Sequence, residues 1–135
     1  EFFDVYLELA VEFRLPIRLG DASTERSVGF PFRKLAAEEG VIFPDRCIRV
    51  KGASRRAIEA ALIDLAPGVT EVHLHPAIDS AEFRSLAPDW PAGVDDLDLL
   101  TAPGGLGALA RRSGVGLIGY RPLRDLQRSG GGSGG

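Results

Sequence analysis

A chain of 135 residues, 44% hydrophobic and 26% charged, has the length and composition of one folded globular domain and not of a disordered or membrane-spanning chain. A net charge of −3, with no cluster of Lys and Arg interleaved with aromatics, argues against nucleic acid and membrane surfaces as partners. The single Cys47 cannot close an internal disulfide and fits a reducing, cytoplasmic setting.

The chain begins at Glu1 with no basic-then-apolar leader and ends in SGGGSGG from Ser129, the composition of a flexible linker. Both ends are expected to be cuts, so residues 1–128 are read as the domain and 129–135 as a tail. Glu1 to Arg14 reads as a helix with Asp4, Glu8 and Glu12 on a polar stripe and Phe3, Tyr6, Ala10 and Phe13 on an apolar one, widened by Phe2, Leu7 and Leu9. Pro16 stops it, and Ile17 to Leu19 reads as a short buried strand. The polar run from Gly20 to Gly29 is expected to be a loop at the end of that strand.

Phe32 to Glu39 reads as a helix closed by Gly40, followed by the brief apolar run Val41 to Phe43 and a turn at Pro44 and Asp45. Cys47 to Val50 reads as a strand. Ser54 is a plausible N-cap for a helix whose core stripe is Ile58, Ala61, Leu62 and Leu65 and which Pro67 and Gly68 terminate. After the next strand comes a long connection through Pro88, Trp90 and Pro91, a helix starting near Asp95 and Asp96, and another from Leu106 to Arg112 broken by Gly114. Val115 to Tyr120 reads as a last strand, before a basic helical piece from Pro122 to Gln127. Helix and strand alternate without a hairpin signal, the pattern of a parallel α/β fold.

The run PGVTEVHLHPAIDS, Pro67 to Ser80, holds both histidines of the chain. Strand side chains alternate between faces, so Glu71, His73 and His75 share one face while Val72 and Leu74 share the other. Three ionisable groups on one side of a strand mark that side as the lining of a site, because a buried parallel strand is ordinarily apolar on both. Ligands of parallel sheets bind beyond the C-terminal strand ends, where His75, Asp45 and the Gly20 to Gly29 stretch are expected.

The runs FFDVYLELAVEFRLPIRL, GVIFPD, PGVTEVHLHPAIDS, APDW and GVGLIGYRPLRDLQR, in this order, resemble the C-terminal half of the YdjC-like carbohydrate deacetylases, the group that contains chitooligosaccharide and hopanoid-associated deacetylases. The resemblance covers Phe2 to Arg128. It implies part of a distorted (β/α) barrel with mainly parallel strands, and hydrolysis of an N-acetyl group from an amino sugar that depends on a divalent metal, zinc or magnesium. The family's metal ligands, an Asp of a His-Ala-Asp-Asp-type motif and two histidines, precede the stretch that matches Glu1, so no metal and no activity are expected of this chain alone.

The family's strand-end His-Pro pair matches His75 and Pro76, and the resemblance implies that His75 is the general acid that protonates the leaving amine. Imidazole chemistry near neutral pH suits that role, and a nearby carboxylate can hold the cation. Asp45 is the candidate for that carboxylate, with a turn or cap role as the alternative. Trp90 offers a flat apolar face to a sugar ring or is a packed anchor. Gly93 departs from the family pattern, which has a basic residue near this point. Gly104, Gly105 and Gly107 resemble a phosphate loop only in composition, since no Lys-Ser or Lys-Thr follows them.

Two other readings stand beside the deacetylase. His73 and His75 on one strand face have ligand geometry for zinc, but a zinc hydrolase requires a third ligand, for which Asp79 is a nearby carboxylate. The chain is otherwise a non-enzymatic α/β module. A half barrel leaves two strand edges and the apolar side of its first helix without partners, so a homo-oligomer or a complementing N-terminal half is expected.

Overall fold

Phe3, Leu7 and Ala10 recur at the spacing that lines one side of a helix, and the chain forms α1 over Phe2–Glu12 with that side against Ile17, Leu19, Phe32, Ala36 and Val41. The helix closes one residue pair beyond Glu12. Arg14 takes a left-handed φ of 48° and the Leu15 N–H donates back to the Ala10 carbonyl at 2.9 Å, satisfying a carbonyl that the helix end would leave open. The opposite side of α1 stays in solvent: Phe2, Val5, Leu9 and Phe13 are all exposed. The computed structural model describes residues 2–49 and 55–130, so Ser54 and Val50 lie outside the described residues.

The described chain is mixed α/β. Helices α2 (Ala22–Val28), α3 (Phe32–Glu38), α4 (Arg55–Ile63), α5 (Ala81–Leu86), α6 (Trp90–Thr101), α7 (Leu106–Arg112) and α8 (Tyr120–Gly130) accompany two strands, β1 (Arg46–Arg49) and β2 (Thr70–His73), which pair in a parallel two-stranded sheet. With α4 between them the strands make one β–α–β unit. The chain divides into two compact units, Glu1–Cys47 with Gly68–Glu71 and Ile118–Gly135, and Ile48–Pro67 with Val72–Leu117. No helix among the described residues is long and apolar enough to cross a membrane.

In the first unit the expected loop from Gly20 to Gly29 is instead α2. Asp21 caps it, accepting from the N–H groups of Ser23 and Thr24 at 3.1 and 2.9 Å and from both hydroxyls, and Gly29 ends it with a φ of 70°. A polar stretch bracketed by a capping aspartate and a left-handed glycine is a helix when its donors are satisfied this way. The hydrogen bonds from Ser23 and Thr24 hold the Asp21 carboxyl near pKa 2, below its ordinary 3.8. A depressed carboxyl stabilises the fold above the unfolded-state value and loses that contribution as pH falls through the folded one. Asp21→Ala is therefore expected to cost about 1 kcal/mol at neutral pH, as N-cap removals do. The gap between the parent and variant in urea melts should close as pH falls from about 4 to about 2.

Ile17 to Leu19, expected as a strand, is extended with Ile17 and Leu19 buried and Arg18 exposed. Its Ile17 N–H donates to the Ile42 carbonyl at 3.0 Å, but it forms no regular ladder, and neither does the run Val41 to Phe43. The expected strand from Val115 to Tyr120 is likewise not one. Leu117 and Ile118 are 62% and 57% exposed and Tyr120 already begins α8, because a strand forms only where a neighbour takes up its backbone groups.

The second unit packs Ile58 and Leu62 of α4 on Leu99 of α6 and Leu109 of α7, with Leu65, Val72, Leu74, Leu106 and Val115 around them. Ile58 and Leu109 are 1% and 2% exposed, worth roughly 1.5–3 kcal/mol each in removed apolar surface. The connection expected through Trp90 and Pro91 is already helical. α6 starts at Trp90, five residues ahead of Asp95, because Pro91 falls in the first turn where its missing N–H costs nothing. Gly93, Asp96 and Leu99 then form its buried side, so Asp96 lies in the middle of the helix and not at its start.

Candidate active site

The C-terminal end of β2 and the segment that follows it belong to the second unit. Strand alternation holds here: Val72 and Leu74 pack on the core, while the imidazole rings of His73 and His75 lie together with centroids 4.5 Å apart and planes inclined by 36°. His73 is half-buried and His75 exposed. The main chain of the segment is tied to α6. The His75 N–H donates to Asp96 Oδ2 at 2.8 Å and the Ala77 N–H donates to the Gly93 carbonyl at 2.9 Å. Asp96 is 2% exposed, and a carboxylate that far from water requires donors.

Further along, Ser80 caps α5 by accepting from the Phe83 N–H at 3.1 Å. The Arg84 guanidinium forks onto Asp79 with two bonds of 2.6 Å and lies over the Trp90 ring, 4.5 Å from its centroid. The hydrogen bonds from Arg84 hold the Asp79 carboxyl below its ordinary range, and those same bonds raise Arg84. Trp90 is half-buried with one ring face covered by this arginine.

Asp45 lies in the first unit. Its carboxylate accepts from the Val69 N–H at 2.7 Å and lies against Gly68, whose φ is 123°; the Asp45 N–H in turn donates to the Val69 carbonyl at 2.9 Å. Asp45 thus fixes the turn that leads into β2, which is the structural alternative its sequence context offered. Glu71 is also drawn into the first unit. Its carboxylate, 10% exposed, pairs with Arg18 Nε and accepts from the Tyr120 hydroxyl at 2.6 Å. Burial and that hydrogen bond push the Tyr120 phenol well above its ordinary range, so it keeps its proton and donates it to Glu71. Burial works against the Arg18 charge, but Glu71 outweighs it and Arg18 is held as a cation.

Among the described residues no group of three or more His, Cys, Asp and Glu side chains is arranged to hold a metal ion. The two-histidine zinc reading would recruit Asp79, which Arg84 occupies through both oxygens. Asp79 is thus already engaged by Arg84 and does not stand free beside His73 and His75 as a third ligand.

Sequence reasoning missed the roles of Asp96 and Arg84, and it placed Glu71 beside His73 and His75 without its partners Arg18 and Tyr120. Asp96 had a signal, the three-residue spacing that places it with Gly93 and Leu99 on one side of α6. The Arg18, Glu71 and Tyr120 group had none, since its members are 49 to 102 positions apart in the chain. No protein-family model matches the chain, and no curated protein matches it.

Proposed function

We propose that this chain is the proton-donating C-terminal part of a carbohydrate N-deacetylase, a portion of a distorted (β/α) barrel that hydrolyses an N-acetyl group from an amino sugar. The observation that carries the reading is the strand-end His-Pro pair. His75 leaves the end of β2 with its ring exposed and its main chain held by a buried carboxylate, as a group that must meet substrate requires.

In this reading the His75 imidazolium gives its proton to the sugar nitrogen as the carbon–nitrogen bond of the tetrahedral adduct breaks, so that an amine and not an amide anion departs. A divalent metal held by the family's N-terminal ligands would supply hydroxide near neutral pH. The residues of this chain contribute the proton. Trp90, with Arg84 on one face of its ring, is the aromatic surface proposed for the apolar side of a pyranose. The N-terminal half of such a protein, or a second copy of the chain, is the partner proposed for the exposed apolar side of α1.

The test is acetate release from N-acetylglucosamine oligomers. The chain as it stands is expected to release none, and a protein that joins it to an upstream half with the His-Ala-Asp-Asp-type motif is expected to release acetate in a chelator-sensitive way. Chelator-sensitive release by the chain alone would mean that the metal site lies within it. No release by the joined protein would remove the deacetylase reading.

A further inference from the structure

The segment His75 to Ala77 lies on α6 at closer range than ordinary side-chain packing permits. A Cβ on Gly93 would sit 3.0 Å from the Ala77 Cβ, 3.1 Å from the His75 carbonyl oxygen and 3.3 Å from Phe83. One helical turn on, the Asp96 carboxylate takes the His75 N–H. Gly93 and Asp96 thus work as a pair at three-residue spacing. The absent side chain lets the strand-end segment come down on the helix, the Gly93 carbonyl and Asp96 carboxylate take two of its N–H groups, and the resulting backbone path sets where the His75 Cα–Cβ bond points.

Burying a carboxylate is costly unless donors reach it, and the His75 N–H is one that does. A carboxylate at this position gives a shorter, stiffer, charge-assisted bond. The ring itself is limited on its other side by the His73 imidazole.

The structure assigns Gly93 and Asp96 as positioning residues that orient the His75 side chain from behind, without touching substrate themselves. The assignment deepens the deacetylase reading, since it rests on His75 as the group to be aimed.

The test uses the chain as it stands and needs no substrate. Because it has two histidines, both ring signals and the His75 amide can be followed by NMR without ambiguity. Asp96→Ala should speed exchange of the His75 amide by about 10- to 100-fold, the range of a hydrogen bond to a charged group. It should also raise the amplitude of His75 ring motion in carbon relaxation while leaving the His73 ring unchanged. Asp96→Asn, which keeps an acceptor oxygen, should restore most of the protection and ring order. Unchanged His75 exchange and ring motion in folded Asp96→Ala would overturn the assignment. So would Asn performing no better than Ala, or equal loosening of both rings, because each marks a general packing role. If Asp96→Ala does not fold, Gly93→Ala decides: shifted His75 ring signals in a folded variant support the assignment, and unshifted ones overturn it. None of these outcomes depends on acetate release, so failure here and failure of the deacetylase reading are separable.

Discussion

Gly105→Ala is expected to destabilise the second unit by roughly 3 kcal/mol, the upper part of the range for forcing atoms into a packed interior, whereas Gly104→Ala should cost less than about 1 kcal/mol. The two glycines are adjacent in sequence and both belong to the run that resembles a phosphate loop in composition, but their surroundings differ. A Cβ on Gly105 would run into the Leu99 carbonyl oxygen and lie 2.9 Å from the Ala102 carbonyl oxygen, both main-chain atoms at the end of α6. Leu99 belongs to the core cluster and cannot retreat without opening it. The Gly105 N–H also donates to the Ala102 carbonyl at 2.8 Å, which fixes the approach. A Cβ on Gly104 would meet only the end of the Arg55 guanidinium at 3.0 Å, which can swing aside. Urea unfolding of the two variants checks this, and equal losses would contradict the packing described here.

His75→Ala, made in a protein that restores the upstream half, is expected to lower the rate of N-acetyl hydrolysis by roughly 10²-fold or more, the contribution of a well-placed general acid. His73→Ala should act mainly through stability. His73 is half-buried in β2 and its ring supports that of His75, so its loss loosens the strand end without removing the proton. Comparing kcat with the urea midpoint separates the two. Equal rates for His75→Ala and the parent would sink the proton-donor role.

The parts of the fold that were legible were those whose signal is local. The apolar stripe of α4, the closure of α7 at Gly114 with its φ of 69°, and the division of β2 into an imidazole side and an apolar side all follow from short-range periodicity. Where the reading failed, a local signal was present but was outweighed by a louder one. Asp21 and Gly29 bracket α2 as cap and stop, yet the polarity of the residues between them reads as a loop. Pro91 reads as a break, although a proline in the first turn is a helix start.

Val115 to Tyr120 failed for a different reason. Its composition is that of a strand, but a strand is a relation between two segments, and Leu117 and Ile118 remain in solvent. The site divides in the same way. His75 is legible because histidines at a strand end are conspicuous. Asp96 is not, because an aspartate beside another aspartate reads as an acidic helix start until the three-residue register with Gly93 and Leu99 places it inside.

The central claim, that His75 protonates the departing nitrogen, is tested most directly by varying the leaving group in the joined protein. An amine must be protonated to leave, whereas p-nitrophenolate leaves as the anion. His75→Ala should therefore lose roughly 10²-fold on an N-acetylglucosamine oligomer while keeping its rate on p-nitrophenyl acetate within a few-fold of the parent. A loss of the same size on both substrates would contradict the account, because it would place His75 on the side of the attacking water and not of the leaving amine.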